Sequence, residues 1–215
     1  MNSATVVDYG VVNLRNILQG LDHVGANTQV TTDPELILKA DRVILPGVGA
    51  FAAGVEELRS RNLDQALHAV VKKGRPLLGI CLGMQMLLDV SNENGIHEGL
   101  GLIRGRVKPI PKEYDKSLKK RRKVPHIGWN KLNYPQHLDN WEGTCLEATP
   151  QGAYYYFVHS YMAVPDDVAH VLGYCCYEGL EIVGAIRMDN VTGLQFHPER
   201  SGPAGLEVLE NFISS

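Results

Sequence analysis

The sequence predicts an α/β fold in which helices cover both faces of a mostly parallel central sheet, with a smaller, strand-rich second half. Short β-branched runs alternate with helical patterns in the first half, which is typical of a parallel sheet covered by helices. The second half carries mainly strand patterns. Because 215 residues suit one large domain, we expect a single domain over residues 1–215 with one active site.

The first half begins with a βα unit. Residues 4–8 have a strand pattern, and apolar residues then recur at helical spacing from Leu14 to Val24. The remaining elements are strands at 28–31, 42–45 and 76–80, a short helix after Asp33-Pro34, two helices between 53 and 73, and a helical run at 84–88. The second half predicts strands at 104–110, 153–159, 171–177, 181–187 and 192–196 and a helix at 203–213.

The composition is that of an ordinary globular protein, with 44% hydrophobic and 21% charged residues. A net charge of -3 produces no electrostatic field that would attract a polyanion, so we expect no nucleic-acid partner. The sequence has neither a secretory signal pattern nor an apolar run of about 20 residues, so we expect a cytoplasmic protein without a membrane segment. The four cysteines form no CxxC pair, and we expect free thiols.

One segment, residues 111–123, has seven basic residues against two acidic ones. A solvated loop is the first interpretation, and a surface for a partner protein is the second. Nucleic-acid binding is disfavoured because no aromatic residues are interleaved at the spacing that base stacking requires.

A candidate nucleophile lies between the strand at 76–80 and the helical run that follows it. The sequence Gly79-Ile80-Cys81-Leu82-Gly83 has the strand-turn-helix context of a nucleophile elbow, with cysteine in place of serine. Glycines on both sides allow the tight turn, and the start of a helix favours a thiolate. A buried core cysteine is the alternative, but the context favours a reactive one.

A candidate base and its orienting acid follow the strand at 192–196. His197 could serve as base and then as acid to a leaving amine, and Glu199 could hold the imidazole in one tautomer. The carboxyl ends of parallel strands share one edge of a sheet, so we expect His197 to meet Cys81 there. One histidine and one glutamate are too few ligands for a metal, so none is expected.

The sequence Pro46-Gly47-Val48-Gly49 follows the strand at 42–45 and should lie at the same edge. An ordinary turn is one interpretation. The other is an oxyanion loop, in which the N–H of Val48 joins the N–H of Leu82 in stabilising a tetrahedral intermediate. A missing donor would weaken the transition state by about 3 kcal/mol, so the loop could act as a switch.

Five motifs together resemble the class I, triad-type glutamine amidotransferases over nearly the whole chain: PGVGAF (46–51), GICLGMQ (79–85), VPHIGWN (124–130), YFVHSY (156–161) and QFHPER (195–200). Within that family, PGVGAF combined with PHIGWN and HSY is most similar to the glutaminase subunits of imidazole glycerol phosphate synthases, which act in histidine biosynthesis.

The resemblance implies that Cys81 attacks the side-chain amide of L-glutamine, releases ammonia and forms a thioester that water hydrolyses with His197 as base. No cofactor is implied. In relatives, ammonia passes into a separate (βα)8-barrel synthase, which 215 residues could not also encode. The positions that match substrate-binding residues are Gly49, Gln85, Glu93 and Ser160, and those that match the partner interface are Asn13, Asn16, Trp129 and Arg200. Trp129 could also be a core residue, and Glu93 a solvated one.

Two departures from the family pattern concern the partner side. The first loop reads Tyr9-Gly10-Val11-Val12-Asn13, without the usual glycine before asparagine, and the segment 111–123 is longer than is common. A related glutaminase that serves an amino-sugar amidotransferase of surface polysaccharide synthesis therefore stays an alternative. A non-catalytic regulatory subunit is a further alternative, which the presence of all three triad residues disfavours.

Overall fold

The computed structural model describes residues 3–112, 114–115 and 120–214, with the backbone alone at 114, 115 and 120. Its strands are β1 (Ser3–Val7), β2 (Asn27–Thr31), β3 (Val43–Gly47), β4 (Leu77–Cys81), β5 (Leu88–Ser91), β6 (His97–Glu98), β7 (Ile103–Pro109), β8 (Tyr114–Asp115), β9 (Lys120–Arg121), β10 (His126–Lys131), β11 (Tyr154–His159), β12 (Tyr161–Pro165), β13 (Val171–Tyr177), β14 (Leu180–Met188) and β15 (Val191–Leu194). Its α-helices are α1 (Leu14–His23), α2 (Pro34–Lys39), α3 (Phe51–Ser60), α4 (Leu63–Lys72), α5 (Leu82–Met86) and α6 (Gly202–Ser214), and short 3-10 turns lie at Val168–His170 and Pro198–Arg200.

The central sheet has seven strands in the order β13-β14-β15-β4-β3-β1-β2. Neighbours from β2 through β1, β3 and β4 to β15 pair in parallel. The pairs β14–β15 and β13–β14 are antiparallel. The predicted mostly parallel sheet is therefore confirmed, with two antiparallel pairings at one edge.

Helices cover both faces of this sheet, as predicted, because successive strand residues point to opposite sides. In β3, Val43 and Leu45 belong to the core beneath α2, α3 and α4. The residue between them, Ile44, belongs to the core shared with α1 and α6. The apolar runs of the parallel strands follow from burial on both sides.

Beside the central sheet lie a four-stranded sheet, β12-β7-β5-β6, and an antiparallel pair, β10–β11. The patterns did not predict β5, β6, β10 or β12. The run predicted as helix at 84–88 is helical only to Met86, and Leu88 already belongs to β5. A continuous apolar run fits a buried strand and a buried helix equally well, which explains the error. The single domain over 1–215 stays a prediction.

The basic segment 111–123 lies partly outside the described residues. Its described backbone includes the short antiparallel pair β8–β9, which the sequence patterns did not predict. Arg122 is buried and donates to the carbonyl oxygens of Pro111 and Glu178, which makes it a structural anchor. None of the helices in the described residues has both the length and the apolar character that crossing a membrane requires.

Candidate active site

Strand register brings the three predicted loops together at the carboxyl edge of the sheet. Gly47 at the end of β3 pairs with Cys81 at the end of β4. On the other side of β4, Leu194 pairs with Ile80, so the residues after β15 continue beside Cys81. The glycine loop, the cysteine and the histidine segment therefore meet at one edge, although they are far apart in the sequence.

The turn at Cys81 is a strained elbow. Its φ is 55°, a left-handed conformation that a residue with a side chain seldom adopts. A Cβ at Gly83 would collide with the backbone carbonyl of Leu45, and one at Gly79 would lie 2.8 Å from the backbone of Gly83. The glycines flanking Cys81 are therefore required, because β4 and α5 approach each other and β3 too closely for side chains.

His197 and Glu199 form a buried pair held by the 3-10 turn at Pro198–Arg200. The Nδ1 of His197 lies 2.7 Å from Oε1 of Glu199. A carboxylate only accepts, so the proton sits on Nδ1 and Nε2 is directed elsewhere. The hydroxyl of Ser201 donates to the His197 carbonyl and accepts from the N–H of Tyr156, which fixes this turn against β11.

The ring of His197 shares its cleft with Cys81, which influences its pKa. Nε2 is buried and has no partner of normal hydrogen-bond geometry among the described groups, and the Cys81 sulfur is the neighbour that acts on the ring. Burial lowers the pKa of His197, but hydrogen bonding and charge from Cys81 and Glu199 outweigh burial and raise it above its usual value. The imidazolium form of His197 is therefore favoured at neutral pH.

Two buried amides connect the cysteine to the next sheet. The Nε2 of Gln195 lies 3.8 Å from the Cys81 sulfur as donor, and its Oε1 accepts from Nε2 of Gln85 at 2.9 Å. The same Gln85 nitrogen donates to the carbonyl of Tyr161 at 3.1 Å. Both amide protons of Gln85 are therefore used within the protein, which leaves its oxygen for a ligand.

A pair of buried histidines extends this network to β10. Nδ1 of His159 lies 2.7 Å from the Tyr161 carbonyl, which only accepts, so His159 carries its proton there. Its Nε2 then accepts from Nδ1 of His126 at 2.9 Å, and Nε2 of His126 accepts from the amide of Asn130. Burial above all lowers the pKa of His126 to about 3 and that of His159 to about 4, so both are neutral at pH 7.

A cleft of about 380 Å³ opens over the cysteine. Its lining includes Cys81 and His197 together with every residue predicted to bind substrate: Gly49, Gln85, Glu93 and Ser160. Glu93 is anchored as well, since its Oε2 accepts from the N–H of Phe51 at 2.7 Å, at the start of α3. The interpretation of Glu93 as a merely solvated carboxylate is therefore excluded.

The two predicted oxyanion donors, the N–H groups of Leu82 and Val48, differ in their hydrogen bonding. Leu82 is the first residue of α5, where a backbone N–H has no partner inside the helix. The N–H of Val48 is instead hydrogen-bonded to the carbonyl of Val11 at 3.5 Å, a long bond. In this structure the N–H of Val48 is therefore not directed as an oxyanion hole requires.

The predicted interface residues lie outside the cleft. Trp129 is 51% exposed, which excludes the interpretation as a core residue. Its ring meets the edge of Tyr156, and the guanidinium of Arg200 lies 4.2 Å from the centre of the same ring. A narrow cavity joins Arg200 and Asn13 to His197. Asn16 is half-buried in the first turn of α1, after Asn13.

The sequence interpretation assigned no role to Gln195, His159 or Tyr9. Gln195 stands two positions before His197 in QFHPER, so the motif itself could have drawn attention to it. Only the tertiary structure shows that His159 lines the cleft and that Tyr9 is buried beneath the glycine loop.

Comparison with known proteins agrees with this geometry. Residues 5–215 match the family model described as Glutamine amidotransferase class-I. The chain belongs to the class I glutamine amidotransferase family. This amidotransferase is 42% identical over 214 residues, 99% of both chains, to Imidazole glycerol phosphate synthase subunit HisH 1 of Legionella pneumophila strain Lens. It is 44% identical to subunit HisH of Herpetosiphon aurantiacus, over 97% of this chain and 92% of the relative.

Solved structures agree on the fold of this amidotransferase. A crystal structure described as a glutamine amidotransferase superposes with a TM-score of 0.71 at 15% identity, over 98% of this chain and 99% of the other. The structure of PurLQS from Thermotoga maritima gives a TM-score of 0.71 at 18% identity, over 99% and 97%. At such identities the likeness supports the fold alone, and the HisH relatives carry the comparison of function.

Proposed function

We propose that this chain is the glutaminase subunit of an imidazole glycerol phosphate synthase. It hydrolyses L-glutamine to glutamate and ammonia with Cys81, His197 and Glu199, and delivers the ammonia to a separate synthase subunit. The observation that carries the proposal is the convergence of a buried cysteine with a histidine whose other nitrogen is held 2.7 Å from a carboxylate. The names of the HisH relatives supply the pathway.

The first half-reaction forms a thioester. The thiolate of Cys81 attacks the side-chain carbonyl carbon of glutamine, and the imidazolium of His197 gives its proton to the amide nitrogen. The carbon–nitrogen bond then breaks and ammonia leaves. Glu199 stabilises the imidazolium before that transfer and keeps the ring oriented afterwards.

The second half-reaction restores the enzyme. Neutral His197 takes a proton from water as the hydroxide adds to the thioester carbon, and the carbon–sulfur bond breaks to release glutamate. The Cys81 thiolate returns beside an imidazolium. The balance is glutamine plus water to glutamate plus ammonia, with no metal or other cofactor required.

The substrate's amino-acid head would be held at the far end of the cleft. Because both amide protons of Gln85 are used in the protein, its oxygen is available to accept from the substrate ammonium. The Glu93 oxygen that does not bind Phe51 offers a negative partner for the same ammonium. Ser160 and Gly49 complete the lining of this part of the cleft.

The glycine loop would make the reaction depend on the synthase. Tetrahedral intermediates need donors directed at the oxyanion, and the Val48 N–H is bonded to Val11 instead. We expect weak glutaminase activity from the isolated subunit and a rise of about a hundredfold when the synthase and its ligand turn this N–H toward Cys81. Full activity of the purified subunit alone would contradict this part of the proposal.

The partner would dock on the surface formed by Trp129, Tyr156 and Arg200, with Asn13 and Asn16 beside it. A half-exposed tryptophan and an arginine stacked on a tyrosine are the residue types that carry binding energy at interfaces. The cavity from His197 to Asn13 and Arg200 opens toward this surface, which suits release of ammonia into a partner. We propose a (βα)8 barrel as the partner fold and the cytoplasm as the location.

The decisive experiment is Cys81→Ala, assayed in complex with the cognate synthase. Glutamine-dependent synthesis should fall at least about a thousandfold because the nucleophile is lost, while synthesis from added ammonia should continue. The matched control is Cys176→Ala, which removes an exposed thiol outside the cleft and should change neither rate. Retained glutamine turnover in the Cys81 variant would exclude the mechanism.

The acceptor of the ammonia is tested separately. The synthase that co-purifies with this chain from its native host should make imidazole glycerol phosphate when supplied with ammonia. A co-purifying enzyme that aminates a sugar would instead support the polysaccharide pathway, while leaving the glutaminase mechanism intact.

A further inference from the structure

Tyr9 has an unusual hydroxyl for a buried tyrosine. The side chain is fully buried, yet Oη has no hydrogen-bond partner among the described residues. Tyr155, which is equally buried, bonds its hydroxyl to Thr149 at 2.8 Å. Buried polar groups are nearly always paired, so an orphaned hydroxyl in a native structure requires an explanation.

The position of the Tyr9 hydroxyl explains why it is unpaired. A Cβ built on Gly47 would lie 2.5 Å from Oη of Tyr9 and 2.9 Å from the backbone nitrogen of Gly83. The hydroxyl is therefore beside Gly47, at the point where the glycine loop leaves β3 and close to the cysteine elbow. Glycine at position 47 is what leaves room for it.

The sheet order fixes what happens when this loop rearranges. β3 lies between β1 and β4, and the Val48 N–H points to Val11, in the segment that follows β1. In a trans peptide the N–H and the preceding C=O point in opposite directions, so the Gly47 carbonyl points toward β4. Turning the Val48 N–H toward Cys81 therefore reverses the Gly47 carbonyl as well, and the Tyr9 hydroxyl beside Gly47 is a nearby donor without a partner among the described residues.

The Tyr9 hydroxyl is able to donate to such a carbonyl. Burial, and secondarily the charge of nearby Cys81, raise the pKa of Tyr9 above its ordinary value. The hydroxyl therefore keeps its proton at neutral pH. A carbonyl oxygen turned toward it would satisfy both groups at once.

We propose that Tyr9 is a positioning residue for the oxyanion loop: its hydroxyl, unpaired in the resting form, donates to the Gly47 carbonyl once the Gly47–Val48 peptide has turned over. The hydrogen bond then exists only in the active loop conformation and favours it. This inference rests on the proposed glutaminase function and adds a residue to it. The unpaired hydroxyl makes the resting form less stable than it would otherwise be.

The test is Tyr9→Phe, which removes only the hydroxyl, with Tyr155→Phe as the matched control. In complex with the cognate synthase and its ligand, Tyr9→Phe should lower kcat for glutamine about three- to tenfold, with KM for glutamine changed less than twofold. The urea-unfolding midpoint of the isolated Tyr9→Phe chain should equal or exceed that of the wild type, because an unpaired buried hydroxyl is gone. Tyr155→Phe should lower that midpoint and leave kcat unchanged.

An unchanged kcat in Tyr9→Phe would overturn the inference, whatever its stability. A lower kcat accompanied by a lower unfolding midpoint would also overturn it, because Tyr9 would then be an ordinary packing residue. Failure of the proposed function is separate, since it would appear as absence of glutaminase activity in the wild-type complex.

Discussion

Replacing Gln195 tests whether the amide network sets the reactivity of the nucleophile. Gln195→Met keeps the length of the side chain but removes the donor 3.8 Å from the Cys81 sulfur and the acceptor 2.9 Å from Gln85. Gln195→Glu keeps an acceptor for Gln85 but sets a carboxylate where the sulfur has a donor. The two variants therefore separate loss of a hydrogen bond from introduction of a like charge.

The magnitudes follow from these contacts. A neutral hydrogen bond to the sulfur is worth about 1 kcal/mol, so Gln195→Met should slow reactions of the Cys81 thiolate about fivefold. Two negative charges about 4 Å apart interact by about 4 kcal/mol at an effective dielectric constant of about 20, an upper bound of about a thousandfold. Part of that energy is avoided if the new carboxyl group at position 195 takes up a proton. We therefore expect Gln195→Glu to slow the reactions of Cys81 at least about tenfold.

The assay is alkylation of the isolated chain by iodoacetamide at pH 7, followed at Cys81 by mass spectrometry. Cys176 is exposed and serves as an internal reference in the same sample. Gln29→Met makes the same substitution at an exposed position on the edge strand β2 and should leave the Cys81 rate unchanged. Equal rates of Cys81 alkylation in the wild type and both Gln195 variants would refute the reasoning.

Two further predictions concern the docking surface and the histidine pair. Trp129→Ala should weaken binding to the synthase by about 2 kcal/mol, roughly thirtyfold by titration calorimetry, without lowering the free energy of unfolding. The control is Ile96→Ala, at a residue 78% exposed, which should not alter binding. Equal affinities of the wild type and Trp129→Ala for the synthase would contradict the proposed surface. Because the pKa of His159 is lowered to about 4 and that of His126 to about 3, the neutral forms of both stabilise the fold above pH 6.5. Each should account for a loss of about 2 kcal/mol between pH 7.5 and pH 5 in urea unfolding, which the raised pKa of His197 offsets in part. His126→Phe retains the stacking on Tyr177 but breaks the pair, so an unchanged pH dependence in this variant would contradict the assignment.

Much of the site was predictable because its residues lie in short motifs that each require a particular local backbone geometry. The elbow around Cys81 needs glycine at 79 and 83 for backbone contact, and that need is visible in the sequence itself. His197 and Glu199 are only two positions apart, so one 3-10 turn suffices to pair them. The alternation of strands and helices likewise indicated the parallel sheet, since that pattern arises from burial of the strands on both faces.

The sequence by itself determined the fold class and predicted the candidate triad, because both depend on local spacing and on the rule that parallel strands end at one edge. Only the tertiary structure decided the direction of the Val48 N–H, the amide contact from Gln195 to Cys81 and the unpaired hydroxyl of Tyr9. Each of these is a contact between segments far apart in the chain. Strand register and the rotation of single peptide planes set such contacts, and neither leaves a periodic signal in the sequence.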